Sequence, residues 1–364
     1  CWYCGCHTTV ARRDEPIAVY ESALRCEIDQ VVRQIDRRIR VEHIHFGGGT
    51  PTIMAPESFT DLIGLIRHSF FVAPSAEVAV EIDPRTLSPQ MIEAMALGGV
   101  NRASLGVQSF DPKVQRAINR MQDFEQTEAA TTGLRRAGVS GINFDLIYGL
   151  PHQTVESCLD TVARCLELRP DRFSVFGYAH VPGFKKYQQK IKEEWLPDSL
   201  ERHEQASRIA EALREAGYVQ IGLDHFALPD DSMARALQAG TLRRNFQGYT
   251  TDQSSVLLGF GASAIGRLPQ GFVQNEVAIA AYSQAVAQGR LATVRGYRLT
   301  DEDRLRAEII ERIMCDFAVD LDQVCARHGS AADAVLQSAP RLRDLVSDGI
   351  VELDGSSLAM PEDS

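Results

Sequence analysis

No apolar run in the 364-residue chain reaches the roughly 18 residues needed to span a bilayer. Nor does any segment combine the charged start, apolar stretch and small-residue cleavage site of a secretory signal, so the expectation is a soluble protein with no membrane partner. Cysteine is scarce: eight in the whole chain is far below the density of disulfide-stapled domains. A chain of this length with 44% hydrophobic residues buries enough core to need no staples. The expected compartment is therefore a reducing cytoplasm. Positive charge is also short, with a formal net charge of -11, which argues against a nucleic-acid partner. The deficit is uneven. From Thr300 to Ser364 there are 15 Asp and Glu against 6 Arg, so a tail that reads as helices followed by a hairpin makes a poor DNA-binding module.

What the chain does contain is a regular alternation. Short β-rich runs, VEHIHF (41–46), EVAVEI (77–82), RASLGV (102–107), INFDLI (142–147) and RFSVFGY (172–178), are separated by helical stretches. In one of these Cys158, Val162, Cys165 and Leu166 form a stripe at i, i+4, i+7, i+8; another holds Thr60, Leu62, Ile63, Leu65 and Ile66. This predicts βα units around a parallel sheet, open or closed into a barrel. Glu81, Gln108 and Asp145 fall toward the carboxyl ends of three runs, the end that carries the site in a barrel. A further strand is expected near 218–223, and loop-rich residues 243–266 read as a cover over the barrel mouth. In the tail, Thr300 and Asp303 make a capping box, Leu305, Ile309 and Ile313 an apolar stripe, and Asp354-Gly355 a hairpin turn. The resulting division is 1–225 for the core, 226–297 for the cover and 298–364 for a helical domain with a hairpin.

Two stretches carry chemistry. CWYCGC at the start places Cys1, Cys4 and Cys6 within reach of one metal, yet structural zinc usually takes four ligands, often as two pairs, and no second pair follows. Cys26, Cys158, Cys165, Cys315 and Cys325 lie in helical stretches and read as ordinary buried or half-buried thiols. HFGGGTPT (45–52) is a glycine-rich turn between a strand and a helix, where backbone can approach a ligand closely. It lacks the Gly-Lys-Ser/Thr ending of a phosphate-binding loop.

Together the cysteine cluster and the glycine turn resemble radical S-adenosylmethionine (SAM) enzymes, whose cluster loop reads C-x3-C-x2-C. Gly5-Cys6 after the last ligand, with VEIDPR (80–85), LGVQSFD (105–111), INRMQD (118–123), FDLIYGLPHQT (144–154), FGYAHVPG (176–183), GLDHFALPDD (222–231) and NFQGYTT (245–251), narrows this. These segments resemble the oxygen-independent coproporphyrinogen III oxidases. The resemblance implies a partial radical SAM (β/α)6-type barrel lacking its first strand, with a small α/β cover and a mainly helical C-terminal domain. It implies a [4Fe-4S] cluster and two SAM molecules, a 5'-deoxyadenosyl radical that abstracts hydrogen from substrate propionates, and loss of carbon dioxide to leave two vinyls.

By the same resemblance Cys1 and Cys4 are cluster ligands, and the remaining ligand would stand four positions before residue 1, so residues 1–364 alone would assemble an incomplete cluster site. Cys6 is a catalytic thiol beside the cluster. Gly48 and Glu81 match positions at the cluster-bound SAM; Tyr3, Gly49, Thr50, Gln108, Arg120, Asp145 and Ala179 match the second, and Ile265 an apolar contact to the adenosyl group. Phe246 and Gln247 are candidate substrate contacts, and His180 and His225 candidate polar ones. The implied partners are coproporphyrinogen III and an electron donor, with the chain a monomer. Two other readings stay open: another radical SAM tetrapyrrole enzyme, such as one that degrades haem, and a haem-carrying chaperone. Gly5-Cys6, Gln108 and Arg120 favour the oxidase.

Overall fold

The computed structural model describes residues 1–6, 13–35 and 38–361. After α1 (Asp14–Arg33), strands and helices alternate: β1 (Arg40–Phe46), α2 (Pro56–Ser69), β2 (Phe71–Ile82), α3 (Pro89–Leu97), β3 (Arg102–Gln108), α4 (Pro112–Ala117), α5 (Phe124–Arg136), β4 (Gly141–Tyr148), α6 (Val155–Leu168), β5 (Arg172–Gly177) and α7 (Ser199–Glu215). The helices start where the local chemistry supplies partners for their free amides. Asp123, Thr154 and Asp198 each close a capping box, and Ser88 and Asp111 cap α3 and α4 ahead of a proline.

Five strands pair in parallel in chain order, β1-β2-β3-β4-β5. Period-two alternation then decides which side chain faces where. Val78, Val80 and Ile82, Ala103 and Leu105, Ile142 and Phe144, and Phe173 and Val175 are buried in one core with Phe59, Ile63, Met95, Leu134, Cys165 and Leu213 of the helices. Each such side chain contributes about 1.5–3 kcal/mol. The intervening residues, among them Glu81, Ser104, Asn143, Asp145 and Ser174, therefore share the opposite face of the sheet. That face is polar.

The sheet does not close. After β5 it continues through β7 (His225–Ala227), antiparallel, and ends at β6 (Val219–Ile221). Three residues separate β6 from β7, with Gly222 at φ +55°, and a connection that short forces a hairpin rather than a parallel crossover. Beyond it come α8 (Ser232–Gln238), a hairpin of β8 (Arg243–Asn245) and β9 (Gly248–Thr250), and an antiparallel sheet of β10 (Ile265–Leu268), β11 (Gly271–Asn275) and β12 (Thr293–Arg298) with α9 (Ile279–Ala287).

The tail holds α10 (Asp301–Asp316), β13 (Ala318–Asp320), α11 (Leu321–Arg327), α12 (Ala332–Gln337), α13 (Leu342–Ser347), β14 (Glu352–Asp354) and β15 (Ser357–Ala359) around its own core of Leu305, Ile309, Val324 and Leu358. The Thr300–Asp303 capping box forms. The hairpin turn sits one residue later than expected: Asp354 pairs with Ser357, leaving Gly355-Ser356 as the turn, with Gly355 at φ +61°. Four of the five helical cysteines are buried, but Cys26 is exposed, because α1 buries Glu27 and Ile28 instead. Among the described residues, no helix is long and apolar enough to cross a membrane.

Candidate active site

The opening loop is pinned to the carboxyl side of the sheet from two directions. The Trp2 amide donates to the Ile118 carbonyl (2.8 Å), and Trp2 and Tyr3 pack on Val114, Ile118, Leu150, Tyr178 and Ile191. Gln188, 1% exposed, binds the Tyr3 carbonyl (2.8 Å) and the Ala179 carbonyl (3.1 Å) through Nε2, and accepts from the Val181 amide (2.6 Å). Tyr3 and Ala179 are thereby held together by one buried amide. Burial pushes the Tyr3 phenol up to about 12.

Within the loop the Cys6 amide lies 3.4 Å from the Cys4 sulfur. The hydrogen bond from the Cys6 thiol outweighs the effect of burial and lowers Cys4 to about 6, while the same bond and burial raise Cys6. The opposite directions favour Cys4 over Cys6 as the thiolate, the form that ligates metal. The Cys1 sulfur lies 3.6 Å from Nη2 of Arg85 and 3.6 Å from Nη1 of Arg120.

Arg120 joins the parts. Its Nη2 donates to the Gly106 carbonyl (2.6 Å) and to Gln122 Oε1 (2.9 Å), and the guanidinium sits 3.4 Å from both Asp83 oxygens. It is 6% exposed, yet its Nε has no partner. Gly106 makes this possible, since a Cβ there would stand 2.8 Å from Gln108 Nε2 and 3.2 Å from Arg120 Nη2. Gln108 ends β3 beyond a register shift, at φ +68°, a strained backbone for a non-glycine residue. Burial opposes the charge on Asp83, but bonds from Arg85 (2.6 and 2.9 Å) and the Arg120 charge hold its carboxyl below the ordinary range.

On the other side, Glu81 Oε2 accepts the Gly48 amide (3.0 Å) and Oε1 lies 3.3 Å from His45 Nε2. Gly48 and Gly49 take φ +82° and +95°, and a Cβ on Gly48 would meet nothing within 4 Å, so this backbone borders open space. Thr50 precedes the short turn Pro51–Ile53, where its carbonyl accepts the Ile53 amide (3.0 Å) and its side chain makes no cap bond. Asp145 lies deeper than the strand ends, in register with Gly106 and three residues before β4 stops. Its carboxylate accepts from Ser104 Oγ (2.8 Å) and Asn143 Nδ2 (2.8 Å); burial, which these bonds only partly offset, pushes it up to about 6.

The remaining residues stand apart. Phe246 and Gln247 are the two-residue turn between β8 and β9, with Phe246 48% exposed, and Ile265 opens β10. Among the described residues, no hydrogen bond or ion pair joins these three to the Arg120 group. His180 Nδ1 meets the Tyr178 hydroxyl (2.9 Å); His225 Nδ1 meets Asp224 (2.6 Å), and its ring lies edge-on to Phe176 and Tyr249. Sequence reasoning missed Asp83, Arg85, Gln122, Gln188, Ser104 and Asn143. Three of them carried a signal: Asp83 and Arg85 stand two and four places beyond Glu81 in VEIDPR, and Gln122 two places beyond Arg120 in INRMQD.

The donor set discriminates among ligands. No three Cys, His, Asp or Glu side chains among the described residues form a complete metal-ligand group, so Cys1 and Cys4 offer two ligands and no closed cage. A buried guanidinium with a free Nε, a carboxylate beside bare glycine backbone, and a second carboxyl below suit a zwitterionic ligand carrying hydroxyls. SAM, with its amino-acid head and ribose, fits that description.

The Radical SAM superfamily model matches residues 1–165, and the HemN C-terminal domain model matches residues 299–363. The chain is 69% identical over 364 residues to the oxygen-independent coproporphyrinogen III oxidase of Bradyrhizobium diazoefficiens, covering 100% of this chain and 81% of that one. It is 38% identical over 361 residues to the protein of the same name from Pseudomonas aeruginosa, covering 98% and 78%. A solved structure of coproporphyrinogen III oxidase from Escherichia coli, described as a radical SAM enzyme, superposes with a TM-score of 0.94 at 38% identity, covering 99% of this chain and 83% of that one.

Proposed function

The chain belongs to the oxygen-independent coproporphyrinogen III oxidases of the radical SAM superfamily, and from that premise we propose that it converts two propionates of coproporphyrinogen III to the vinyls of protoporphyrinogen IX. A bound [4Fe-4S] cluster and SAM would supply the radical chemistry that removes hydrogen from the propionate. The chain's own contribution is placement and exclusion of water. Cys1 and Cys4 would hold the cluster, with Cys6 beside it. Glu81 and the Gly48 backbone receive the ribose and amino-acid head of one SAM. Tyr3, Gly49, Thr50, Gln108, Arg120, Asp145 and Ala179 receive a second, with Ile265 against its adenosyl group.

The carrying observation is the Arg120 guanidinium, buried beside the Cys1 sulfur with Nε free. A planar, permanently charged fork in that place suits a carboxylate better than any neutral ligand. Phe246 and Gln247, at a hairpin tip, would reach substrate from the cover (226–297), while 1–225 bears the chemistry and 298–364 braces the cover through Glu311, Arg312 and the Met314 carbonyl of α10. Eight free cysteines agree with a reducing cytoplasm, and we take the chain to act as a monomer.

The test is an anaerobic assay with SAM, dithionite and coproporphyrinogen III, run on enzyme whose iron and sulfide counts after reconstitution show a complete cluster. Release of carbon dioxide with formation of methionine, 5'-deoxyadenosine and protoporphyrinogen IX is expected. Absence of decarboxylated product overturns the reading, and stable haem binding without SAM consumption would replace it with a carrier. A finer prediction concerns Gly47, where an added Cβ would stand 2.7 Å from Glu81 Oε1 and 2.6 Å from His45 Nε2. Gly47→Ala is expected to push Glu81 off the Gly48 amide and weaken SAM about tenfold, a loss of about 1.4 kcal/mol, by equilibrium dialysis.

A further inference from the structure

Lysine occurs only five times in this chain, at 113, 185, 186, 190 and 192, against 33 arginines. Four of them fall within residues 185–192, a segment that touches the Cys1–Cys6 loop. Lys185 Nζ is 3.4 Å from the Cys6 carbonyl. Lys190 Nζ lies 5.1 Å above the Trp2 ring, and Lys192 Nζ 5.1 Å above Trp195. The Trp195 carbonyl accepts the His152 amide (2.7 Å), and burial together with the Lys113 charge holds the His152 ring below its ordinary range. Lys113 itself precedes Val114, on which the Trp2–Tyr3 segment packs.

Residues 180–192 contain four lysines and no acid, and Glu193 and Glu194 follow directly; Glu194 lies 3.3 Å from Lys192 in an exposed pair worth little. Two apolar side chains stand among them, Phe184 (89% exposed) and Tyr187 (58% exposed). On a chain of net charge -11, a cationic face with aromatic centres, two of its lysines seated on indole rings, is a placed feature rather than an average surface.

We propose that this flank is the docking face for an acidic one-electron carrier protein, which delivers its electron at the Cys1–Cys6 loop. The proposal rests on the functional reading above, in which each SAM cleavage takes one electron: the carrier is oxidised by one electron and the cluster reduced by one, and the electron released when the substrate radical loses carbon dioxide to form the vinyl returns to the oxidised carrier. The position favours a protein over the substrate. Lys190 and Lys192 stack on Trp2 and Trp195, and among the described residues no lysine bonds to Glu81, Asp145 or Arg120, whose partners include Gly48, His45, Ser104, Asn143, Gly106, Gln122 and Asp83. The acidic tail, with 15 Asp and Glu against 6 Arg from Thr300 to Ser364, repels a negative partner and so favours encounter at the lysine segment.

The test uses Lys113→Glu/Lys186→Glu/Lys192→Glu, three exposed positions outside the SAM and cluster contacts, and a small acidic flavin-mononucleotide electron carrier as probe. Calorimetry on the oxidised proteins is expected to give binding that weakens between about 50 and about 300 mM salt, and at least about tenfold weaker binding for the triple variant. Turnover driven by dithionite is expected to stay unchanged in the variant, while turnover driven by the carrier falls about as much as binding. Equal carrier binding by both proteins, or none by the wild type, overturns the proposal. So does lysine-dependent capture by phosphatidylglycerol vesicles or by a second copy of this chain without carrier binding. Loss of dithionite turnover in the wild type would sink the functional reading instead, leaving the binding comparison to decide docking.

Discussion

Arg120→Ala is expected to abolish turnover and lower the unfolding free energy by about 3–5 kcal/mol, the cost of stripping one partner from a buried charged network. The side chain serves the Gly106 carbonyl, Gln122 Oε1 and the Asp83 carboxylate at once. Truncation leaves all three facing a void where water is the only replacement. Urea denaturation of the apo-protein reads the stability loss without any cofactor, and the anaerobic assay reads the activity. Arg120→Lys separates the two roles. It keeps the charge that holds Asp83 below its ordinary range but loses the planar fork. Most of the stability is therefore expected to return while the KM for SAM stays raised about tenfold or more, as for one lost bidentate contact. A lysine variant with unchanged KM would show Arg120 to be a scaffold for Asp83 and Arg85 only.

Strand positions were legible because burial follows alternation so closely. EVAVEI puts Val78, Val80 and Ile82 in the core and Glu77, Ala79 and Glu81 on the other side, a pattern written directly in residue type. The first half of β2 was hidden: Phe71–Ala76 contains Pro74, which argues against a central strand, and the pairing with β1 shifts register there, from Val41↔Val72 to His43↔Glu77. β7 was invisible as a strand because three residues carry no period. At the site, Glu81, Gln108 and Arg120 were readable as polar residues at strand ends and a cation in a family-like segment. Gln188 was not. Its job, gathering the Tyr3 and Ala179 carbonyls, depends on a contact spanning 185 residues, and nothing in QQK marks the first glutamine from the second. Asp145 was read as lying at a strand end because INFDLI looks finished at Ile147; the strand runs on to Tyr148, and the carboxylate falls inside the sheet.

The same limit explains α1, where hydrophobicity alone would bury Cys26 and expose Glu27, and the structure does the reverse. Glu27 is 2% exposed and accepts from the Gly261 amide (2.7 Å), Asn275 Nδ2 (2.5 Å) and the Tyr282 hydroxyl (2.7 Å). One carboxylate thus ties α1 to the segment before β10, to β11 and to α9, the unit that carries Ile265. Glu27→Ala is expected to cost about 3–5 kcal/mol, since three buried donors lose their acceptor together. Burial raises the Glu27 carboxyl above its ordinary 4.5, more than the three bonds lower it. A raised folded-state pKa means that the native protein holds this proton where the unfolded chain has released it. The contribution is then full below the unfolded value and is lost as pH rises through the folded one. Urea titrations from pH 4 upward should show wild-type stability falling with this slope. Glu27→Gln, which keeps the shape and cannot titrate, should be flatter over the same window. An unchanged slope in the glutamine variant would mean that another acid, with Asp145 the first to examine, carries the pH dependence.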